Sequence, residues 1–229
     1  MVLELLRTFP SAIESLLALP DWIGEHRELL SLAGVQVEPV NLETLEKISS
    51  LQTPNKVYAL VGISPVKPSK TAVSSGLSLY LDGIQDPGNL GTILRIADWF
   101  GLAAVFCAPS CVEWSNPKVV QASMGSFFRT PVDYLTLPEL ARQYPGLPVW
   151  GATMEGESIY TASFSGNALV VIGSEAHGIS PETAALIGHW TGIPPFGNSA
   201  PESLNAAVSA GIICAVLRGR ETGFSPIPC

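Results

Sequence analysis

Five polar side chains of this 229-residue chain stand where chemistry is feasible. Asn89 and Arg95 lie in Asp86-Pro-Gly-Asn-Leu-Gly-Thr-Ile-Leu-Arg95, Glu175 lies in Val171-Ile-Gly-Ser-Glu-Ala-His-Gly178, and Ser203 and Asn205 lie in Glu202-Ser-Leu-Asn-Ala-Ala-Val208. These segments follow apolar, strand-like runs and are rich in glycine and small polar residues, as are loops that bind ligands in α/β folds. A carboxylate there can accept a proton or orient a hydroxyl, and a guanidinium can hold a phosphate or a developing negative charge. Each residue also has a structural reading. Composition alone favours Asn89 as a cap in a helix-entry turn and Glu175 as a cap for the helix that starts at Ser180-Pro181. Residues 203–217 read as a close-packed final helix or a subunit contact, with an apolar face of Leu204, Val208, Gly211, Ile212 and Ala215.

Several chemistries fall away. The glycine spacing matches neither the dinucleotide fingerprint nor a P-loop, and no G-x-S-x-G elbow supports Ser174 with His177 as a nucleophile pair. Cys107 and Cys111 lack a second pair or a nearby histidine to complete a zinc site, so no metal is expected; Cys214 and Cys229 suggest no disulfide framework. No apolar run reaches membrane-span length and the N-terminus lacks a signal-peptide pattern, so a cytoplasmic protein is expected. The net charge of −8 argues against a polyanionic partner, but the charge is uneven. Residues 56–129 carry 6 basic against 4 acidic side chains (Lys56, Lys67, Lys70, Arg95, Lys118 and Arg129 are the cations), while both flanking regions are acidic.

The elements that position these residues follow from hydrophobic patterning. The first fifty residues show helix-like spacing (Leu3, Leu6; Ile13, Leu16, Leu17; Leu29, Leu30, Leu32) broken by Pro10 and Pro20, before a strand at Val57–Val61. Residues 1–63 therefore read as a small N-terminal domain, the Pro/Ser/Lys-rich stretch 64–76 as a linker, and 77–229 as the main domain. In that domain strands at 77–81, 103–107, 148–152 and 169–172 alternate with helices at 90–100, 118–127, 181–187 and 203–217, which predicts α/β architecture with a parallel sheet flanked by helices. Ile93, Ile96, Ala97 and Phe100 share one apolar face, so Arg95 points away from it.

Taken in order, N-L-G-x-x-x-R, [LIV]-G-x-E-x-x-G and I-P followed by S-L-N-x-x-V resemble the three motifs of the SpoU (TrmH) family over residues 77–220, the stretch Lys118–Arg129 included. The resemblance implies an S-adenosylmethionine-dependent methyltransferase acting on a ribose 2′-hydroxyl of rRNA or tRNA. The contrasting reading is a non-catalytic RNA-binding protein that retains the fold. The resemblance further implies a C-terminal trefoil knot, which topology rules alone would exclude, a homodimer, and an N-terminal RNA-binding domain. Family chains carry a further strand ahead of the helix that opens this chain, so a shortened N-terminal domain is expected. It places the cofactor against Ile172, Gly173, Ile193, Gly197 and Leu204, and assigns catalysis to Asn89, Arg95, Glu175, Ser203 and Asn205. The family's motif arginine is usually given the role of general base. A guanidinium stays protonated in proteins, so a phosphate-binding Arg95, with Asn89, Glu175 or water receiving the proton, is the easier chemistry. The stretch Asn198–Glu202 is longer than in many family members.

Overall fold

The computed structural model describes residues 1–49, 51–62, 65–164, 166–197 and 203–221; the 198–202 stretch and Cys229 lie outside the described residues. The chain divides into two compact units, Met1–Ser64 and Pro65–Cys229.

In the first unit, α1 (Val2–Thr8), α2 (Pro20–Glu25) and α3 (Arg27–Ala33) accompany a three-stranded sheet of β1 (Ile13–Ala18), β2 (Glu38–Pro39) and β3 (Val57–Val61), with α4 at Leu42–Ile48. The order is β2-β1-β3, with β1 parallel to β2 and antiparallel to β3. Ile13, Leu16 and Leu17 thus belong to a strand, not a helix. In β1 the alternation places Leu16 and Ala18 on one face, where they join Leu6, Trp22 and Leu30 in a core cluster. Leu32, read with the helical apolar residues, is exposed.

The second unit begins earlier than the linker reading has it. Helix α5 (Lys70–Ser75) buries Val73, the Val66 carbonyl accepts from the Val132 N–H, and Asn167 donates to the Ser74 carbonyl. There follow β4 (Leu77–Asp82), α6 (Pro87–Trp99), β5 (Ala104–Cys107), α7 (Pro117–Ser123), β6 (Val132–Tyr134), α8 (Leu137–Gln143), β7 (Val149–Ser158), β8 (Ala168–Gly173), α9 (Pro181–Ala184), β9 (His189–Gly192) and α10 (Ala206–Glu221). The strands form one six-stranded sheet, β6-β5-β4-β8-β7-β9, parallel throughout. Every residue of β4 and Ala168–Ile172 of β8 are buried, as expected of central strands covered on both faces. From β4 the chain winds outward through β5 and β6, then returns to lay β8 on the other side of β4. The loops leaving β4 and β8 meet at the carboxyl edge of the sheet, where the Asp82 carboxylate accepts the Ser180 N–H.

Close packing orients α6. Leu90, Ile93 and Leu94 are completely buried; each contributes about 1.5–3 kcal/mol by leaving water, whereas an unpaired buried guanidinium would cost several. The helix rotates accordingly, and Arg95 faces solvent. A Cβ on Gly91 would lie 2.6 Å from the Ala122 Cβ and 2.7 Å from the Val119 carbonyl oxygen, so only glycine allows α6 this close to α7. Helix α7 ends sooner than the 118–127 reading. Met124 and Gly125 turn left-handed (φ 52° and 94°) before a 3₁₀ turn at Ser126–Phe128. No helix among the described residues is long and apolar enough to cross a membrane.

Candidate active site

Three loops at the carboxyl edge of the sheet build the site. After β4, the Asp86 carboxylate caps α6 by accepting the Asn89 N–H at 2.8 Å. Asp86 is thus the cap, and the Asn89 side chain is left to reach elsewhere. After β8, residues 174–178 form a tight loop closed by paired backbone hydrogen bonds between Ser174 and Gly178. A Cβ on Gly173 would lie 2.3 Å from the Gly178 carbonyl carbon, so the loop closes only over glycine. The buried Asp82 carboxylate accepts the Ser180 N–H at 2.7 Å and holds the far end of this loop to β4. The Ser180 hydroxyl, not Glu175, caps α9. Ser174 Oγ accepts the His177 backbone N–H, which helps close the loop, and no hydrogen bond joins Ser174 to the His177 imidazole among the described residues.

The Glu175 side chain instead reaches the start of α10. Its Oε1 accepts from Asn89 Nδ2 at 2.6 Å, from Asn205 Nδ2 at 2.9 Å and from the Ala206 N–H at 3.3 Å. Asn205 Nδ2 also donates to Asn89 Oδ1 at 2.9 Å, while Asn205 Oδ1 caps α10 by accepting the Ala207 and Val208 N–H groups at 3.0 and 3.2 Å. That capping settles which way the Asn205 amide points. A carboxylate at a helix N-terminus is favoured by the helix dipole, and the amide donors fix its orientation. One oxygen of Glu175 is saturated. No partner of its Oε2 occurs among the described residues.

Arg95 stands outside this network. It is exposed on α6, and no hydrogen bond or ion pair engages it among the described residues. The six cations of the central segment are less available than the composition implies. Lys56 pairs with Asp21 and Lys67 with Asp133, both at 2.7 Å, and Arg129 grips Asp98 through two nitrogens. Burial raises the Asp98 pKa, but hydrogen bonds from Arg129 and Ser126 outweigh it and hold the carboxyl below its ordinary value. Lys70, Arg95 and Lys118 show no ion-pair partner among the described residues.

Beside the network lies a cleft of about 650 Å³, within the range of small-molecule sites. Glu175 belongs to both. Of the expected cofactor contacts, Ile172, Gly173, Ile193 and Leu204 line the cleft, as does the catalytic candidate Ser203, which is exposed. Gly197, at φ 64°, is outside the lining, as are Asn89, Arg95 and Asn205. Sequence reasoning missed the wall supplied by β7. Ala152 and Glu157 both register against Thr191, so the residues between them bulge out, and Thr153 and Met154 of that bulge line the cleft. Gly156 carries the only sequence signal, since its absent side chain admits the Thr191 backbone. Trp190, Phe196 and Ser209 belong to the missed lining as well.

The cysteines of the described residues are buried. Burial pushes the Cys214 thiol up to about 12, and the neighbouring Cys111, together with burial, pushes Cys107 up. Cys111, by contrast, is held below its ordinary value, first by its hydrogen bond with Cys107.

The model of the SpoU rRNA Methylase family matches residues 76–215. The chain belongs to that family. It is 36% identical over 203 residues to the 23S rRNA (guanosine-2′-O-)-methyltransferase RlmB of Xanthomonas axonopodis, covering 83% of this chain and 80% of that protein. It is 28% identical over 193 residues to the 23S rRNA (guanosine(2553)-2′-O)-methyltransferase RlmP of Bacillus subtilis, with coverages of 81% and 74%. Among solved structures, the SpoU methyltransferase AviRb of Streptomyces viridochromogenes in complex with the cofactor AdoMet superposes with a TM-score of 0.81 at 25% identity, covering 97% of this chain and 89% of that one. The parallel sheet flanked by helices is therefore the architecture of this family.

Proposed function

We propose that this chain transfers the methyl group of S-adenosylmethionine to a ribose 2′-hydroxyl of ribosomal RNA. The observation that carries this is the junction at Glu175, which joins the family's three motifs through hydrogen bonds and also lines the cleft. The cleft suits the cofactor in kind. Its volume fits a nucleoside-sized ligand, its wall at Ile172, Ile193 and Ile213 is apolar, and Gly173 and Gly192 line it. Support also comes from the rRNA 2′-O-methyltransferase relatives and the AdoMet-bound AviRb structure.

The cofactor, when bound, supplies a methyl group already activated on a sulfonium. The chain's own residues must place a ribose oxygen against it and manage one proton. Asn89 and Asn205 hold Glu175 by Oε1, which leaves Oε2 to receive the proton of the 2′-hydroxyl. Arg95, permanently charged and without a partner among the described residues, binds the adjacent phosphate and stabilises negative charge developing on the 2′-oxygen. The reacting hydroxyl is the group that distinguishes RNA from DNA, so selectivity for RNA is built into the chemistry.

Four further readings accompany this one. The unit Met1–Ser64 serves as an RNA-binding domain, the C-terminal stretch is threaded into a trefoil knot, the enzyme works as a homodimer, and it acts in the cytoplasm. Exposed apolar residues on and before α10 support the dimer. Val208 of α10 is 49% exposed, Leu204 just before the helix is 44% exposed, and Ala215 is exposed; the core face of α10 is instead Ala207, Ala210, Ile213, Cys214 and Leu217. Leu204, Val208 and Ala215 of the apolar stripe read from sequence are thus exposed, as a subunit contact would leave them in one protomer, while Gly211 and Ile212 are half-buried, Gly211 against Ile96 of α6.

The test is transfer of labelled methyl from S-adenosylmethionine to ribosomal RNA from cells lacking this gene. Label recovered in a 2′-O-methylnucleotide is the expected result. S-adenosylhomocysteine binding without transfer to any RNA would favour the non-catalytic reading, and absence of cofactor binding would end the methyltransferase reading.

A further inference from the structure

Helix α6 meets a different neighbour on each of its sides. Leu90, Ile93, Leu94 and Ala97 enter the core, Gly91 touches α7, and Asn89 and Ile96 face α10 at Asn205 and Gly211. The side opposite the sheet carries Thr92, Arg95 and Trp99 at helical spacing, all exposed. Trp99 is 84% exposed, a large apolar ring left in water where the rest of the helix is closely packed. It stands one turn beyond Arg95, so the two side chains leave the helix about 5–6 Å apart.

An unpaired guanidinium beside an unburied indole is the chemistry of a nucleotide: one group for a phosphate, the other for the face of a base. The charge pattern favours this stripe. Lys56, Lys67 and Arg129 are taken up by ion pairs, and the cations of the α6–α7 pair without a partner among the described residues are Arg95 and Lys118. Trp99 lies ten residues, about 15 Å along the helix axis, from Asn89. A base stacked on it therefore belongs to a neighbouring nucleotide, not to the one whose ribose reaches Glu175.

We propose that the outer stripe of α6 binds the RNA strand flanking the target nucleotide, with Arg95 on a phosphate and Trp99 stacked on an unpaired base. The substrate region is then single-stranded or looped, because a base inside a duplex offers no free face. This rests on the methyltransferase reading for the place of the target ribose, but the binding surface is tested apart from turnover.

The experiment uses the full chain with a 12-nucleotide single-stranded RNA and the duplex of the same sequence, read by fluorescence anisotropy. Trp99→Ala is expected to weaken single-strand binding about tenfold and to leave duplex binding, thermal melting and S-adenosylhomocysteine affinity unchanged; Trp99→Phe recovers most of the loss. Lys118→Ala lowers the salt slope of single-strand binding by about 0.7. Unchanged single-strand affinity in Trp99→Ala overturns the proposal. A change in sedimentation of Trp99→Ala, with or without loss of RNA, assigns the stripe to a second copy of the chain and overturns it equally. Absence of S-adenosylhomocysteine binding by the wild type would instead overturn the methyltransferase reading, whatever Trp99→Ala does to RNA.

Discussion

Asn89 and Arg95 are six residues apart on one helix, yet they live in opposite circumstances. Asn89 is committed: its side chain is bonded to Glu175 and Asn205, from loops distant in sequence. Arg95 is uncommitted, turned outward by the burial of its neighbours and held by no partner among the described residues. One end of the motif is a preassembled framework whose cost was met in folding. The other is a charge reserved for a ligand the protein does not itself supply. Mutations should therefore separate stability from turnover along a single helix.

The largest effect is expected at the free end. Arg95→Ala should lower turnover by about 10²–10³, Arg95→Lys should lose most of it, and neither should shift the melting temperature or S-adenosylhomocysteine affinity measurably. A parallel fall in melting temperature would mean that Arg95 is committed after all. Next comes Glu175. Glu175→Gln keeps an oxygen for the Asn89 and Asn205 amides but removes the proton acceptor, so turnover should fall by about 10² while cofactor affinity holds. Glu175→Ala should add instability by leaving those amides without their acceptor, by about 1–3 kcal/mol in urea unfolding.

Asn205→Ala, on the committed side, removes the cap of α10 and should cost about 1 kcal/mol in the same assay. The smallest effect concerns Asp98, beside the free stripe. Its carboxyl titrates lower folded than unfolded, so its contribution is complete above about pH 5 and disappears as pH falls through the folded value. Wild type and Asp98→Asn should therefore differ by less than about 1 kcal/mol near neutrality and converge once the pH has fallen through the folded value. Divergence on acidification would mean that the Arg129 pair does not stabilise the fold.

The core of the fold was legible because its signals are local. The unbroken apolar runs of β4 and β8 and the stripe of α6 declare themselves within a few residues. In β1, Ile13, Leu16 and Leu17 satisfy helical spacing by coincidence in a six-residue run too short to separate the two periods. Strand β9, His189-Trp-Thr-Gly192, sits at the sheet edge with its first two residues exposed and offers no apolar run to find. Helix α8 was there to be read, since Thr136 and Glu139 form a capping box. The site divides in the same way. That Arg95 faces outward follows from its own helix, but Glu175 joining Asn89 and Asn205 depends on the return of β8 beside β4, which no local pattern encodes. Only the resemblance to a family brought those residues together in advance, and it could not say that Asp86 and Ser180 would take the capping roles.

The hydrogen bond from Asn205 to Asn89 closes a loop of 116 residues. Contacts of such long sequence separation are costly in chain entropy and form late. During synthesis, β4, α6 and β8 emerge and can pair before α10 exists, yet Glu175 has no helix start to cap and Asn89 only one of its two partners until α10 has left the ribosome. Completion of the site thus waits for α10, and S-adenosylhomocysteine affinity doubles as a readout of whether that helix has docked.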